Sequence, residues 1–133
     1  MMKKAVVIGG SGFIGSHVAD CLSDEGYQVT IYDFVKSLWL RENQEMVIGD
    51  ILDGKAVKQT IKGADVVYNF AALADLNQAR KQPIKTAEIN ILGNLNVLEA
   101  CRIHNVKRFI YASTLYVYSR EGSFYGCSKQ SSE

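Results

Sequence analysis

Five short hydrophobic runs recur along the chain and predict five β-strands. The runs are Lys4–Ile8, Val29–Tyr32, Met46–Ile48, Ala64–Phe70 and Arg108–Ala112. Runs this short, with apolar residues at most consecutive positions, are typical of parallel strands that are covered on both faces. Segments with helical periodicity follow most of them, and strands that alternate with helices indicate an α/β fold built on a doubly wound parallel sheet.

The helices are predicted from apolar residues three or four positions apart. After the first strand such a stripe is expected to face the sheet, and it consists of Ile14, Val18, Cys21 and Leu22. Gly26 is expected to end this helix. Asp53 is placed to cap a later helix that carries Val57 and Ile61, and Gly63 is expected to end that one.

A longer helix is predicted to begin at Pro83, a residue that suits the first helical turn. Its apolar stripe, also expected to face the sheet, consists of Ile84, Ala87, Ile91, Leu95 and Leu98. The segment from Phe34 to Glu45 shows no clear period. It contains the single tryptophan, Trp39, which with Leu38 and Leu40 is expected to anchor a loop or a short helix by packing.

Composition limits the class of protein. The 133 residues suffice for one domain with one core, and 15 basic against 14 acidic residues give a net charge of +1, so no nucleic-acid or membrane partner is expected. The three cysteines, Cys21, Cys101 and Cys127, lack metal-ligand spacing and predict no metal site. They are interpreted as reduced thiols of a cytoplasmic protein, with Cys21 and Cys101 packed inside.

The first strand ends in a turn with three regularly spaced glycines, Gly9, Gly12 and Gly15. Gly9 permits a sharp turn, Gly12 lets phosphates approach the backbone, and Gly15 lets the following helix pack closely on the strand. The free N–H groups at that helix start favour a pyrophosphate. No Gly-Lys-Ser/Thr follows, which excludes a P-loop, and the context predicts a Rossmann-like dinucleotide site.

An acidic residue, Asp33, follows the second strand about twenty residues after the glycine turn, at the distance that dinucleotide-binding folds require. Its carboxylate can accept hydrogen bonds from an adenine-ribose diol and would repel a 2′-phosphate. The next residue is Phe34 rather than an arginine. The sequence therefore predicts NAD rather than NADP as the cofactor.

Further candidate residues follow the other strands, where ligands bind in open α/β sheets. Asp50 is predicted to meet the adenine end of the dinucleotide. Ala71 and Ala72 leave room for a flat cofactor, although alanines that simply fill a tight core are an equally good interpretation of that segment. Asn90 in the long helix needs buried partners and is expected to brace the backbone near the active site.

The chemistry is predicted at the end of the chain. Tyr125 and Lys129 lie on one face of a helix, where the lysine charge would stabilise a phenolate so that the tyrosine serves as a base. Ser113 and Thr114 follow the fifth strand. Either hydroxyl can hydrogen-bond the substrate oxygen that gains or loses the proton.

Taken together, these motifs resemble the extended short-chain dehydrogenase/reductase family, in particular its NAD-dependent epimerase/dehydratase group. The matching stretches cover almost the whole chain in the family's order, and they are Gly9–Gly15, Asp33, Gly49–Asp53, Asn69–Ala72, Asn90 with Gly93, Asn96–Ala100, Tyr111–Thr114 and Tyr125–Lys129. The resemblance implies that Thr114, Tyr125 and Lys129 are catalytic. It also implies that Phe13 and Ile14 belong to the cofactor-binding turn and that Asp33 and Asp50–Ile51 hold the adenosine. Asn90, Tyr125 and Lys129 are also predicted to contact the cofactor, Lys129 through the nicotinamide ribose.

Within this group the resemblance favours a nucleotide-sugar 4-epimerase. Dehydratases usually follow the catalytic threonine with an Asp-Glu pair, whereas Leu115 and Tyr116 follow Thr114 here. In a 4-epimerase Tyr125 would deprotonate the sugar hydroxyl while hydride passes to NAD. The keto sugar would then turn in the site and take hydride back on its other face.

The sequence departs from the family pattern in three places, of which the first two are mild and the third bears on the substrate and on the geometry between Thr114 and Tyr125. Asn69 stands where histidine is common, Ser119 stands where a glycine usually occurs, and the segment between Thr114 and Tyr125 is short. Family members also continue past the Tyr-Lys helix into a smaller domain that holds the nucleotide sugar. We therefore expect residues 1–133 to be a truncated NAD-binding domain that self-associates, for example as a homodimer. The alternatives are an oxidoreductase for another hydroxyl or carbonyl substrate and an inactive NAD-binding fragment.

Overall fold

The computed structural model describes all 133 residues and contains one five-stranded sheet. Its strands are β1 (Lys4–Ile8), β2 (Gln28–Asp33), β3 (Gln44–Ile48), β4 (Val66–Asn69) and β5 (Arg108–Tyr111). Their order is β3-β2-β1-β4-β5, and every neighbouring pair is parallel. The five predicted strands and the doubly wound, Rossmann-like architecture are confirmed. The strand order reverses direction at β1, so a crevice opens between the carboxyl ends of β1 and β4.

Helices connect the strands and cover both faces of the sheet. They are α1 (Phe13–Asp24), α2 (Gly54–Ile61), α3 (Leu76–Lys81), α4 (Pro83–Ala87), α5 (Gly93–Ile103) and α6 (Ser123–Ser132). A π-helical turn, Glu88–Leu92, joins α4 to α5 without a break, which confirms the long helix predicted from Pro83. Two short 3₁₀ turns, Leu115–Tyr118 and Arg120–Gly122, connect β5 to α6. The sequence did not predict α3 or the π-helical turn.

The core consists of two hydrophobic clusters, one on each face of the sheet. Val6 and Ile8 of β1 pack with residues of α2 and α5, including Val57 and Val97. Ala5 and Val7, which point to the other face, pack with Ala19 and Leu22 of α1. Successive side chains of a strand point to opposite faces, so β1 is buried on both sides as its sequence predicts.

The prediction for the inner face of α1 is only partly right. Leu22 is buried, but Ile14 is 58% exposed and Cys21 is also exposed. The buried side carries small residues instead, among them Gly15 and Ala19. These residues let the helix lie close to the sheet, which moves the bulkier side chains outward. The expectation that Cys21 is packed inside is therefore wrong, whereas Cys101 is buried as expected.

The long helix is turned relative to the prediction. Its apolar stripe faces outward: Ile84 is 76% exposed and Leu95 is 53% exposed. The inward side carries Thr86, Asn90 and Asn94, each no more than 2% exposed. Asn90 and Asn94 face inward because their amides hydrogen-bond to other parts of the chain, as described below, and unpaired buried amides would be costly.

The β2–β3 loop also differs from the prediction. Leu38 is 88% exposed and Trp39 is 65% exposed, so neither is a packing anchor, although Leu40 contacts the cluster on the α1 side of the sheet. Polar contacts hold the loop instead. The guanidinium of Arg41 pairs with Asp20 at 2.9 Å and with Asp24 at 2.7 Å, both on α1. None of the helices is long and apolar enough to span a bilayer.

Candidate functional site

A cavity of about 530 Å³ lies at the carboxyl ends of β1, β2 and β4, in the crevice where the strand order reverses. It brings together more than half of the cofactor-binding residues that the sequence predicts. Those that line it are Gly9, Gly12, Asp33, Asp50, Ile51, Ala71 and Ala72. The predicted residues thus converge from four separate segments onto one site.

The glycine turn forms one wall of this cavity, and its glycines have different surroundings. Gly9 has a φ of +77°, and a Cβ there would lie 2.5 Å from the backbone nitrogen of Ala71. A Cβ on Gly15 would collide with the carbonyl oxygen of Gly9. A Cβ on Gly12 would instead meet nothing closer than the Gly9 oxygen, at 3.5 Å. Gly9 and Gly15 are therefore needed by the fold, and Gly12 keeps open the space beside the cavity.

The N-terminus of α1 begins at this open space. Gly12 is its N-cap, with no side-chain hydrogen bond, and the first turn carries no acidic residue. The first N–H groups of the helix are thus free of a competing carboxylate and carry the positive end of its dipole. The open space and these donors fit a phosphate group.

Asp33 is held beside the turn at the end of β2 and is only 9% exposed. One of its carboxylate oxygens accepts a hydrogen bond from the backbone N–H of Ser11 at 3.0 Å. The other accepts from the N–H of Val35 at 3.4 Å. Each carboxylate oxygen has a second acceptor position, so the side chain is oriented and still able to bind a diol in the cavity.

Asp50 and Ile51 are positioned by two neighbouring side chains. The hydroxyl of Tyr32 donates to the carbonyl oxygen of Asp50 at 2.8 Å, and the amide of Asn96 donates to that of Ile51 at 3.0 Å. Burial, with smaller contributions from Asp53 and Asp50, raises the pKa of Tyr32 to about 12. The tyrosine therefore stays a neutral hydrogen-bond donor at physiological pH.

The strand end before Ala71 is fixed by a buried pair of amides. The side-chain oxygen of Asn69 accepts from the N–H of Ala71 at 3.1 Å, and its nitrogen donates to the oxygen of Asn94 at 2.8 Å. Asn69 is 1% exposed and Asn94 is 2% exposed. The departure from the histidine that is common at position 69 is thus accommodated by a matching amide on the long helix.

Asn90 lies in the π-helical turn and joins the β4–α3 loop to α6. Its oxygen accepts from the N–H of Leu73 at 2.7 Å, and its nitrogen donates to the Leu73 carbonyl at 3.2 Å and to the hydroxyl of Ser128 at 2.9 Å. The carbonyl of Asn90 accepts from the hydroxyl of Ser132 at 2.7 Å. Its side chain is thus used in bracing the backbone, and contact with a cofactor stays a prediction.

The predicted catalytic side chains lie on α6 and on the loop after β5. Tyr125 is 9% exposed and packs with Leu73 and Ala79, while Lys129 is 3% exposed. The ammonium of Lys129 donates to the carbonyl of Ala112 at 2.5 Å and lies 6.0 Å from the centre of the Tyr125 ring. Burial lowers the pKa of Lys129 to about 8. The hydroxyl of Thr114 accepts from the N–H of Tyr116 at 3.4 Å.

The short connection between Thr114 and Tyr125 folds back against α6 at two glycines. A Cβ on Gly122 would lie 2.8 Å from the carbonyl oxygen of Tyr116, and one on Gly126 would lie 2.9 Å from it. The ring of Tyr116 contacts that of Tyr125 edge-on, with centres 6.2 Å apart. Tyr125 therefore packs between Leu73 of the β4–α3 loop and Tyr116 of the short connection.

The structure separates the predicted residues into two groups. Thr114, Tyr125, Lys129 and Asn90 do not line the cavity, and neither do the predicted turn residues Phe13, Ile14 and Gly15. Phe13 is 81% exposed. Their roles in cofactor binding and catalysis stay predictions. No group of three His, Cys, Asp or Glu side chains that could hold a metal is present.

The cavity also contains polar residues that the sequence reasoning missed. Ser11 belongs to the glycine turn, and three more come from the α3–α4 segment, namely Gln78, Gln82 and Lys85. Gln78 lies on α3 and Lys85 on α4, and Gln82, whose backbone is not helical, separates the two helices. No periodic pattern in the sequence marks the three as neighbours, because the two helices that carry Gln78 and Lys85 are brought to the cavity by the tertiary fold.

Known proteins share this fold and about a third of the aligned residues. The profile of the NAD dependent epimerase/dehydratase family matches residues 5–132. A UDP-N-acetyl-alpha-D-glucosaminuronate decarboxylase from Bacillus cytotoxicus is 34% identical over 126 residues, which are 90% of this chain and 39% of the relative.

Two solved structures are close in fold. The UDP-glucose 4-epimerase of Thermotoga maritima, solved with UDP-glucose, has a TM-score of 0.90 and 30% identity over 97% of this chain. The UDP-glucose 4-epimerase of Brucella ovis, solved with NAD, has a TM-score of 0.89 and 30% identity over 98% of it. The chain spans 48% and 45% of those two proteins. With its profile match, its glycine turn and its Rossmann-like sheet, the chain belongs to the NAD-dependent epimerase/dehydratase family of enzymes.

Proposed function

We propose that residues 1–133 form the NAD-binding domain of a nucleotide-sugar 4-epimerase. The observation that carries the proposal is the convergence of the glycine turn, the Asp33 carboxylate and the Asp50–Ile51 segment on one cavity. Relatives that are 4-epimerases, one of them solved with NAD, support it. The glycine turn would hold the pyrophosphate, and Asp33 would hold the adenine ribose.

The choice of NAD over NADP rests on Asp33. A 2′-phosphate on the ribose would meet this carboxylate, which is 9% exposed and therefore poorly screened by water. Phe34, the neighbouring residue in the cavity wall, offers no positive charge to compensate. We therefore expect NADP to bind more weakly than NAD.

Tyr125, Lys129 and Thr114 would carry out the proton transfers. Bound NAD would supply the acceptor for the hydride of the sugar carbon and the donor for its return. Tyr125 would take the proton of the sugar hydroxyl, and the Lys129 ammonium, 6.0 Å from the centre of its ring, would stabilise the phenolate. Thr114 would hydrogen-bond the same sugar oxygen. Leu115 and Tyr116, which follow Thr114, supply no acidic pair for elimination of water, which favours epimerisation over dehydration.

Binding of the cofactor is tested by calorimetric titration of the chain with NAD and with NADP. Replacement of Asp33 by alanine removes the acceptor of the ribose diol and is expected to weaken NAD binding at least tenfold. Asp33→Asn keeps the side-chain shape, removes the charge and should narrow the preference for NAD. Glu42→Ala, an exposed acid in the β2–β3 loop, is the matched control. Equal affinity of the wild type for both cofactors would contradict the assignment of Asp33.

The reaction is tested by incubating the chain with NAD and UDP-glucose or UDP-galactose. Interconversion of the two sugars without net NADH would support the epimerase. Net NADH would favour the oxidoreductase alternative, and NAD binding without turnover would favour a binding fragment. Tyr125→Phe removes the phenol alone and is expected to abolish turnover while NAD still binds.

We also propose that the chain self-associates through the outward face of the long helix. Ile84, Leu92, Leu95 and Leu98 are between 37% and 76% exposed and lie along one continuous helical segment. A second copy could cover this face with its own, because a two-fold interface pairs identical patches. We propose cytoplasmic localisation, which agrees with three cysteines that are all free.

A further inference from the structure

Lys85 is the single basic residue among the side chains that line the cavity. Two acids, Asp33 and Asp50, line the same cavity. A dinucleotide brings two further negative charges, both on its pyrophosphate. The acids are suited to hydroxyl and amine groups, so a positive charge that stabilises the phosphates has to come from another residue of the wall.

We propose that Lys85, which lines the same cavity as the glycine turn, is the cation that pairs with the pyrophosphate of the cofactor. This inference rests on the proposed NAD site. The N-terminus of α1 contributes only a partial positive charge, about half an elementary charge. Gln78 and Gln82 add neutral amides. Lys85 therefore supplies the one full positive charge available to the phosphates from the cavity wall.

The backbone of Lys85 is held in place while its side chain stays free to move. Next to it, the hydroxyl of Thr86 donates to the carbonyl of Gln82 at 2.8 Å, and Thr86 is 0% exposed. The ammonium of Lys85 lies 3.9 Å from a carboxylate oxygen of Glu88, and both side chains are more than 40% exposed. A long, exposed ion pair of this kind contributes little. The ammonium can therefore leave Glu88 for a phosphate at small cost.

The test measures binding rather than activity. Wild type, Lys85→Gln and Lys85→Arg are titrated with NAD and with ADP-ribose by calorimetry, and with adenosine by ligand-detected NMR. Lys85→Gln is expected to weaken the binding of NAD and of ADP-ribose about tenfold, which is the lower end for the loss of a charge-assisted hydrogen bond. The affinity for adenosine should not change. Lys85→Arg should restore most of the affinity. Lys81→Gln, an exposed lysine outside the cavity, is the control.

The assignment is overturned if Lys85→Gln binds ADP-ribose as tightly as the wild type does. An equal loss of affinity for adenosine would overturn it too, because Lys85 would then affect the fold of the site rather than contact the phosphates. UDP-glucose also carries a pyrophosphate and is titrated in parallel. If Lys85→Gln loses affinity for UDP-glucose alone, the assignment of Lys85 to the cofactor is overturned. A wild-type chain that binds neither NAD nor adenosine would overturn the proposed function, and the role of Lys85 with it.

Discussion

Replacing Lys129 by methionine removes the one buried lysine of the chain, which is 3% exposed. Methionine is also unbranched and fills a similar space. Burial lowers the pKa of the Lys129 ammonium from 10.5 to about 8. At about 1.4 kcal/mol for each pH unit, the charged form costs the folded state about 3 kcal/mol.

The sign of the pH dependence follows from proton binding. Between about pH 8 and 10.5 the unfolded chain keeps its proton on Lys129 while the folded chain loses it. The free energy of unfolding therefore rises with pH in that window, and the full penalty applies below it. From about pH 7 to about pH 9.5 the wild type should gain about 2 kcal/mol relative to Lys129→Met.

Urea unfolding of both chains at these two pH values measures the effect. Other titrating groups, such as Cys101, whose pKa burial raises to about 11, occur in both chains and cancel in the difference. Lys129→Met also loses the hydrogen bond to the Ala112 carbonyl, which lowers its free energy of unfolding by the same amount at both pH values. The diagnostic quantity is therefore how the difference in free energy of unfolding between the two chains changes with pH. Lys36→Met, at an exposed position, should show no such change. A constant difference between wild type and Lys129→Met would refute the reasoning.

The other predictions concern the turn, the brace and the outer helix face. Gly9→Ala should cost about 3 kcal/mol or more in urea unfolding, because its φ is +77° and its Cβ would lie 2.5 Å from Ala71. Gly12→Ala should keep the stability of the wild type and weaken NAD binding. Loss of stability with unchanged NAD binding would contradict the role of Gly12 beside the cavity. Asn90→Ala leaves two backbone groups of Leu73 unpaired and should cost about 2 kcal/mol or more, so unchanged stability would contradict the brace. Leu95→Glu should lower the mass measured by light scattering, and a monomeric wild type would exclude self-association there.

The strands and the glycine turn could be predicted from the sequence because both depend on local properties. The central strands β1, β2 and β4 are mostly buried on both faces, so a hydrophobic run marks each of them, and the partly buried edge strands β3 and β5 carry such runs too. The turn requires a positive φ at Gly9 and close packing at Gly15, and only glycine supplies these without strain. The convergence of Asp33, Asp50 and Ala71 also follows from local positions, since the ends of parallel strands meet at one edge.

The orientation of the helices could not be predicted in this way. An apolar stripe shows that a helix has two different faces, but not which one meets the sheet. The orientation of the long helix is set by hydrogen bonds to distant residues: Asn90 bonds to Leu73 and Ser128, and Asn94 bonds to Asn69. Those partners lie 17 to 38 residues away along the chain.

The sequence by itself determined the fold class, the glycine turn and the acid at the end of β2, because each depends on residues close together in the chain. Only the tertiary structure decided that the stripe of Ile84 and Leu95 faces outward, that Lys129 is buried, and that Lys85 lines the cavity. These properties depend on which surfaces come together from distant segments. The physical reason is that burial and charge environment are set by neighbours in space, which a linear pattern does not specify.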